Sequence, residues 1–239
     1  MARTGFFHHI GTFLLFSATV LLIIVCISAP VVRDIYLAKI SFGPEGRSSV
    51  VFGTWGYCPT GILNQPDGDR CSKARLGYSP ASIINSYASV PYSDAAISTS
   101  RSLTKAFVLH PIAAGLNFIA FMLALGAGMV GSLLAALVAL LAFLTTAVAC
   151  VLDFVAFAIV RNKVNSYDRS DELKGEYGNA AWCLLVAAIC SLVGAGVVLM
   201  TCCSGRLRKR RERRGVVKGE GVVAGDGYGV PVQRRRRWF

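Results

Sequence analysis

Four stretches of this chain are apolar enough to cross a bilayer, and they leave few folds open to it. Residues 10–31, 106–130, 133–160 and 180–203 are the segments concerned. A spanning helix needs roughly 20 predominantly apolar residues. Lipid offers the backbone no hydrogen-bond partners, so apolar runs of this length span as helices. The expected fold is therefore an all-α membrane protein, a four-transmembrane-helix bundle. The run 106–160, interrupted only by His110, Asn117 and Asp153 among strongly polar residues, would make one helix of about 80 Å, against a hydrocarbon core of about 30 Å. It has to fold back on itself, and Gly126-Ala127-Gly128-Met129-Val130-Gly131-Ser132 is the glycine-dense place to do so. The first run also invites reading as a cleaved signal peptide. It is long for that, and Ala29 is followed by Pro30, which hinders cleavage, so an uncleaved first span is expected.

Composition agrees. The chain is 54% hydrophobic with mean hydropathy +0.54, and only 16% of its residues are charged. A soluble domain carries about a quarter. The net charge of +12 is concentrated at one end: residues 204–239 hold 12 basic against 3 acidic residues. Arg206-Leu207-Arg208-Lys209-Arg210-Arg211 follows the fourth run directly, which assigns 204–239 to a basic cytoplasmic tail. Four spans then make 1–9 a cytoplasmic N terminus, and 32–105 and 161–179 extracellular loops. The expected location is the plasma membrane. The tail, ending Arg234-Arg235-Arg236-Arg237-Trp238-Phe239, suits anionic inner-leaflet lipids. No nucleic-acid-binding fold accompanies the charge, so nucleic acid is not an expected partner.

Loop 32–105 carries the one compact polar motif, Gly53-Thr54-Trp55-Gly56-Tyr57-Cys58, with a second cysteine at Cys71. Val31, Ile35, Leu37, Ile40 and Phe42, then Val50-Val51-Phe52, read as short strands. Asn64-Gln65-Pro66-Asp67-Gly68-Asp69 has turn chemistry. Cys58 and Cys71 bracket that turn on the oxidising side of the membrane, so a disulfide across a small hairpin is expected over two free thiols. Closing such a loop contributes about 3 kcal/mol. Two cysteines without a nearby histidine are too few for zinc. The expected extracellular loop is thus small, β-type and disulfide-stapled. Residues 79–102 show little pattern and no element is assigned to them.

Inside the spans, Asp153, Asn117 and His110 are the polar groups that stand out. Thr146, Cys150 and Asp153 share a helix face, and a carboxyl hydrogen-bonded to a neighbouring helix is the plainer reading of Asp153; pH-sensitive packing is the other. His110, ahead of Pro111, reads as an interfacial residue at a helix start, with titration as the alternative. Ala120, Ala124, Gly128 and Ser132, and Ala187, Ser191 and Ala195, recur every four positions and suit close helix packing. Cys202-Cys203 beside the basic cluster is a possible palmitoylation site. No catalytic cluster, phosphate loop or metal spacing occurs, so neither an enzyme nor a cofactor is expected.

The motif block Phe52-Gly53-Thr54-Trp55-Gly56-Tyr57-Cys58, with Cys71-Ser72 and Leu76-Gly77-Tyr78, resembles the fungal PalI family within the claudin-like tetraspan superfamily. Val108-Leu109-His110-Pro111-Ile112-Ala113-Ala114-Gly115, the Asp153-containing third span, and Tyr177-Gly178-Asn179-Ala180-Ala181-Trp182 are similar to the family in the same order. The resemblance implies an accessory plasma-membrane tetraspan that assists a partner receptor, such as a seven-span pH sensor, in ambient-pH or surface-stress signalling. A structural organiser of fungal plasma-membrane domains, eisosome- or claudin-like, is the alternative. A transporter is disfavoured, since a transport path usually needs several intramembrane polar groups.

Overall fold

The computed structural model describes residues 4–42, 47–61, 70–88, 90–126, 131–166 and 173–220, with side chains of 4–8, 131–132 and 203–220 left aside. The chain divides into two units, Met1–Cys202 and Cys203–Phe239. The second contributes helical backbone to Glu220. The expected turn at 64–69, most of the 126–132 break and the arginine-rich terminus at 234–239 lie outside the described residues.

In chain order the elements are α1 (Thr4–Cys26), β1 (Ala38–Phe42), β2 (Ser48–Phe52), β3 (Tyr57–Thr60), α2 (Pro80–Ala88), α3 (Asp94–Lys105), a 3-10 turn (Ala106–Val108), α4 (Leu109–Leu125), α5 (Gly131–Asn165), β4 (Leu173–Tyr177) and α6 (Asn179–Glu220). Among the described residues, four segments are long and apolar enough to cross a membrane: His9–Cys26, Asp94–Leu125, Leu133–Asn165 and Asn179–Cys202. Their outward faces are apolar, with Phe13, Leu125, Val151 and Met200 among the more exposed side chains. Their inward faces are built from small residues. Ala120, Ala124, Ala135, Ala136, Ala139 and Ala195 pack with Leu15 and Val198 in one buried cluster. The helices approach closely where side chains vanish. A Cβ on Gly194 would lie 3.2 Å from the Gly11 carbonyl oxygen, and one on Gly11 would lie 3.0 Å from Val197, so α1 and α6 cross at these glycines.

The four strands form one antiparallel sheet in the order β3-β2-β1-β4. In β1, alternation turns Ala38, Ile40 and Phe42 inward, opposite Phe52, Val50 and Ser48 on β2 and Tyr177, Gly175 and Leu173 on β4. Val50, Phe52, Ile40 and Leu173 join Phe107, Phe157 and Leu184 in the largest buried cluster, so sheet and bundle share one core.

Both sheet edges are closed by side chains. At β4, Asn165 Oδ1 accepts from the Gly175 N–H at 2.9 Å and Arg161 Nε donates to the Gly175 carbonyl at 3.1 Å. At β3, the Ser72 N–H donates to the Tyr57 carbonyl and Ser72 Oγ accepts from the Tyr57 N–H. Edge groups paired in this way are withdrawn from pairing with another chain.

Two parts of the sheet layer differ from the sequence expectation. Residues 79–102, left without an element, hold α2 and most of α3. Each begins with a serine cap: Ser79 Oγ accepts from the Ser82 N–H ahead of Pro80, and Ser93 Oγ accepts from the Ala96 N–H ahead of Asp94. Loop 161–179, read only as charge-balanced, supplies β4 and completes the sheet.

Candidate functional site

The motif at 53–58 finishes the first span. A helix leaves its last carbonyls without partners, and burying them unpaired is costly. Here Thr54 Oγ1 donates to the Val25 carbonyl at 2.9 Å, and the Trp55 indole N–H donates to the Cys26 carbonyl at 2.7 Å. Ser28 Oγ accepts from the Thr54 N–H at 2.9 Å and donates to Thr54 Oγ1 at 3.0 Å. Gly53 lies against the backbone of Ala29, where a Cβ would come within 2.2 Å of the carbonyl oxygen, and Gly56 sits where a Cβ would meet Ser72 Oγ. Gly53 is therefore required by close approach to backbone, whereas a side chain at Gly56 would displace the Ser72 hydroxyl from the Tyr57 N–H. Tyr57 contributes its ring to the core beneath. Cys58 and Cys71 form a disulfide, tying β3 to the segment that runs to Tyr78.

Beneath the motif runs a chain of rings. Tyr78 donates its hydroxyl to the Gly53 carbonyl and stacks on Phe52 with centroids 6.2 Å apart. Burial, with the Asp153 charge adding to it, holds the Tyr78 phenol well above its ordinary range, so it remains a donor. Phe52 meets Phe157, Phe157 meets Phe107, and Phe107 meets the edge of His110 at 5.6 Å.

His110 and Asp153 end this chain. The two are 0% and 2% exposed. His110 Nε2 lies 3.0 Å from Asp153 Oδ2, and Nδ1 lies 2.8 Å from the Phe107 carbonyl oxygen. Asp153 Oδ1 is buried with no hydrogen-bond partner among the described residues. His110, read as an interfacial residue at a helix start, is the second residue of α4, and its ring points inward to the carboxyl. The plainer reading of Asp153, a bond to a neighbouring helix, matches the geometry, with His110 as the partner.

Further along, Asn117 joins three helices. Its Nδ2 donates to the Ala113 carbonyl at 2.9 Å and to Thr146 Oγ1 at 3.1 Å, and its Oδ1 accepts from Ser191 Oγ at 2.9 Å. Thr146, in turn, donates to the Ala142 carbonyl. The three intramembrane polar residues singled out in the sequence thus fall into two clusters, both at the α4–α5 contact. Sequence reading missed Thr54, Ser28 and Ser191 as working members. The Ser191 spacing was visible as a packing stripe, while Ser28 and Thr54 meet only through the fold. Cys202 is buried at the end of the apolar span, and the side chain of Cys203 lies outside the described residues. No group of three or more metal-binding side chains occurs among the described residues.

A four-span bundle with a disulfide-bonded sheet set over it defines a class of multi-pass membrane protein, and comparison places the chain within it. A model of the SUR7/PalI family matches residues 7–194, and the chain belongs to that family. The pH-response regulator protein palI/RIM9 of Emericella nidulans is 33% identical over 116 residues, 48% of this chain and 18% of that protein. The pH-response regulator protein palI/prr-5 of Neurospora crassa is 32% identical over 117 residues, 48% of this chain and 15% of that protein. An uncharacterized membrane protein of Saccharomyces cerevisiae, TOS7, is 32% identical over 111 residues, 46% of this chain and 17% of that protein. The matched region spans less than a fifth of each of these relatives.

Proposed function

We propose that this protein acts in ambient-pH or surface-stress signalling as a PalI-type accessory tetraspan of the plasma membrane. In this role it stabilises, delivers or modulates a membrane-protein partner, such as a multi-span pH sensor, and carries out no catalysis itself. The observation that carries the reading is the family match over 7–194 together with two relatives named as pH-response regulators.

The sheet faces outside and both termini face the cytoplasm. Two physical features support this orientation. The Cys58–Cys71 disulfide belongs to the sheet layer, and disulfides persist in oxidising surroundings. The arginine cluster 206–211 follows the opposite end of the last span and suits the cytoplasmic, anionic leaflet. Residues 1–9, 32–105, 161–179 and 204–239 are then the non-spanning segments, and Cys202 and Cys203 stand where acylation would add a lipid anchor. In the sheet layer, Gly53, Trp55, Gly56 and Tyr57 serve to hold one rigid face toward the partner.

Affinity purification of the tagged full chain in mild detergent tests the reading, paired with deletion of the gene. Recovery of a multi-span membrane protein, with loss of that protein from the cell surface and poor alkaline growth after deletion, is the expected result. Normal alkaline growth, with the tagged chain held in fixed cortical patches, would overturn it in favour of a membrane-domain organiser.

A further inference from the structure

The valences of the His110–Asp153 pair leave few choices. A carbonyl oxygen only accepts, so the 2.8 Å contact with Phe107 requires a hydrogen on His110 Nδ1. The 3.0 Å contact between Nε2 and Asp153 Oδ2 is a hydrogen bond only with a proton between those atoms. That proton sits either on Nε2, facing a carboxylate, or on the carboxyl, facing a bare nitrogen. Remove it and a nitrogen lone pair confronts a carboxylate oxygen in a buried site.

Nothing nearby replaces the lost proton. Asp153 Oδ1 already lacks a hydrogen-bond partner. Among the described residues, the other ionisable groups that feel the Asp153 charge are the Tyr78 phenol, from the segment before α2, and the Cys150 thiol, one turn away on α5. Tyr78 is committed to the Gly53 carbonyl. The Phe107 ring, set at a near right angle to the imidazole, offers only carbon, and the Phe107 carbonyl is already taken by Nδ1. His110 is the second residue of α4, so the pair lies at the sheet end of the bundle. Through Phe107, Phe157 and Phe52 it is linked by ring contacts to β2 and to the motif that caps α1.

The geometry points to a single-proton binding site, shared by His110 and Asp153, whose emptying at alkaline pH releases the start of α4 from α5 and loosens the core that seats the sheet. The biological meaning of this site rests on the pH-signalling reading; its existence does not.

The test uses the full chain in lipid nanodiscs, labelled with nitrogen-15 histidine. A His8→Gln/His9→Gln background leaves His110 as the one imidazole observed. Ring-nitrogen shifts and amide exchange are followed from about pH 6 to about pH 9.5, bracketing the ordinary imidazole range. The expected result is loss of one proton within that window, from Nε2 or from the carboxyl bonded to it, seen in either case as a shift of the Nε2 resonance, with the ring left protonated on Nδ1 alone. Exchange protection over 106–114 and β2 should fall by about tenfold at the same pH, as local opening becomes cheaper. In Asp153→Asn, protection should not follow a transition of this kind. Ring-nitrogen shifts that stay constant across the window, with or without the proton on the ring itself, overturn the proposal, and so does a shift transition while protection stays level; the wild-type pair decides this even where Asp153→Asn does not fold. A negative outcome leaves the signalling reading standing, whereas normal alkaline growth after deletion would remove that reading and leave the proton site intact.

Discussion

Asn117 and Asp153 occupy the same interface between α4 and α5, and both are buried, yet they are accommodated in opposite ways. Around Asn117 every group is neutral, and the amide's oxygen and nitrogen are both engaged by α4, α5 and α6. Around Asp153 both partners are ionisable and one carboxyl oxygen is left over. The first arrangement is glue: no change of pH alters its hydrogen-bond count. The second holds only while a proton is present. Polarity inside a bilayer is costly in either form, but only the second form can respond to the medium.

The sharpest way to break this contrast is to remove one partner of the ionisable pair. His110→Ala strands a buried carboxyl and should cost about 3–5 kcal/mol, the usual penalty for breaking a buried pair. A thermal melt of the full chain in nanodiscs would register it. A smaller loss, about 3 kcal/mol, is expected when Cys58→Ser opens the disulfide. That loss should appear first as exchange in β3 and the 70–78 segment while the helices stay protected, because the cap on α1 is made by Thr54 and Trp55 rather than by the cysteines. Asn117→Ala should cost only about 1 kcal/mol, in line with hydrogen bonds between membrane helices, and the same amount at every pH.

Smallest is the surface pair Lys174–Glu176, 2.9 Å apart on the exposed face of β4. The Lys174 ammonium, by hydrogen bond and charge, holds the Glu176 carboxyl below its ordinary value. Any stability it adds is present above the unfolded carboxylate pKa and fades as pH falls through the lowered folded one. Solvent screens so exposed a pair, and Glu176→Gln should change stability by less than about 0.5 kcal/mol in a melt at neutral pH. A larger effect would mean that β4 carries the sheet more than its edge position suggests.

Much of this architecture is legible in the residues. Apolar run length gives the four spans, and the glycine-dense stretch is where α4 ends, at Leu125 with Gly126 capping it. Of the apolar residues read as short strands, Ile40 and Phe42 fall in β1 and Val50-Val51-Phe52 in β2, while Val31, Ile35 and Leu37 lie ahead of β1; the cysteine pair gives the disulfide. The misses have separate causes. Loop 79–102 looked patternless because its helices are short and serine-rich, and their only strong signals are the caps at Ser79 and Ser93. Strand β4 carries lysine, glycine and glutamate, poor strand formers whose place is set by pairing with β1. The inward turn of His110 depends on a 3-10 turn ahead of it and on Asp153, 43 residues away; no local pattern encodes such a meeting. The motif itself was visible as a unit, but its work on the Val25 and Cys26 carbonyls required the fold.

The most direct test of the contrast between the two clusters is the pH dependence of the melting midpoint in three proteins: wild type, Asn117→Ala and Asp153→Asn, each as the full chain in nanodiscs from about pH 6 to about pH 9.5. The wild type and Asn117→Ala should lose stability in parallel toward alkaline pH, offset by a constant amount, and Asp153→Asn should lack that alkaline step. An equal step in all three, or a step erased by Asn117→Ala, would contradict it.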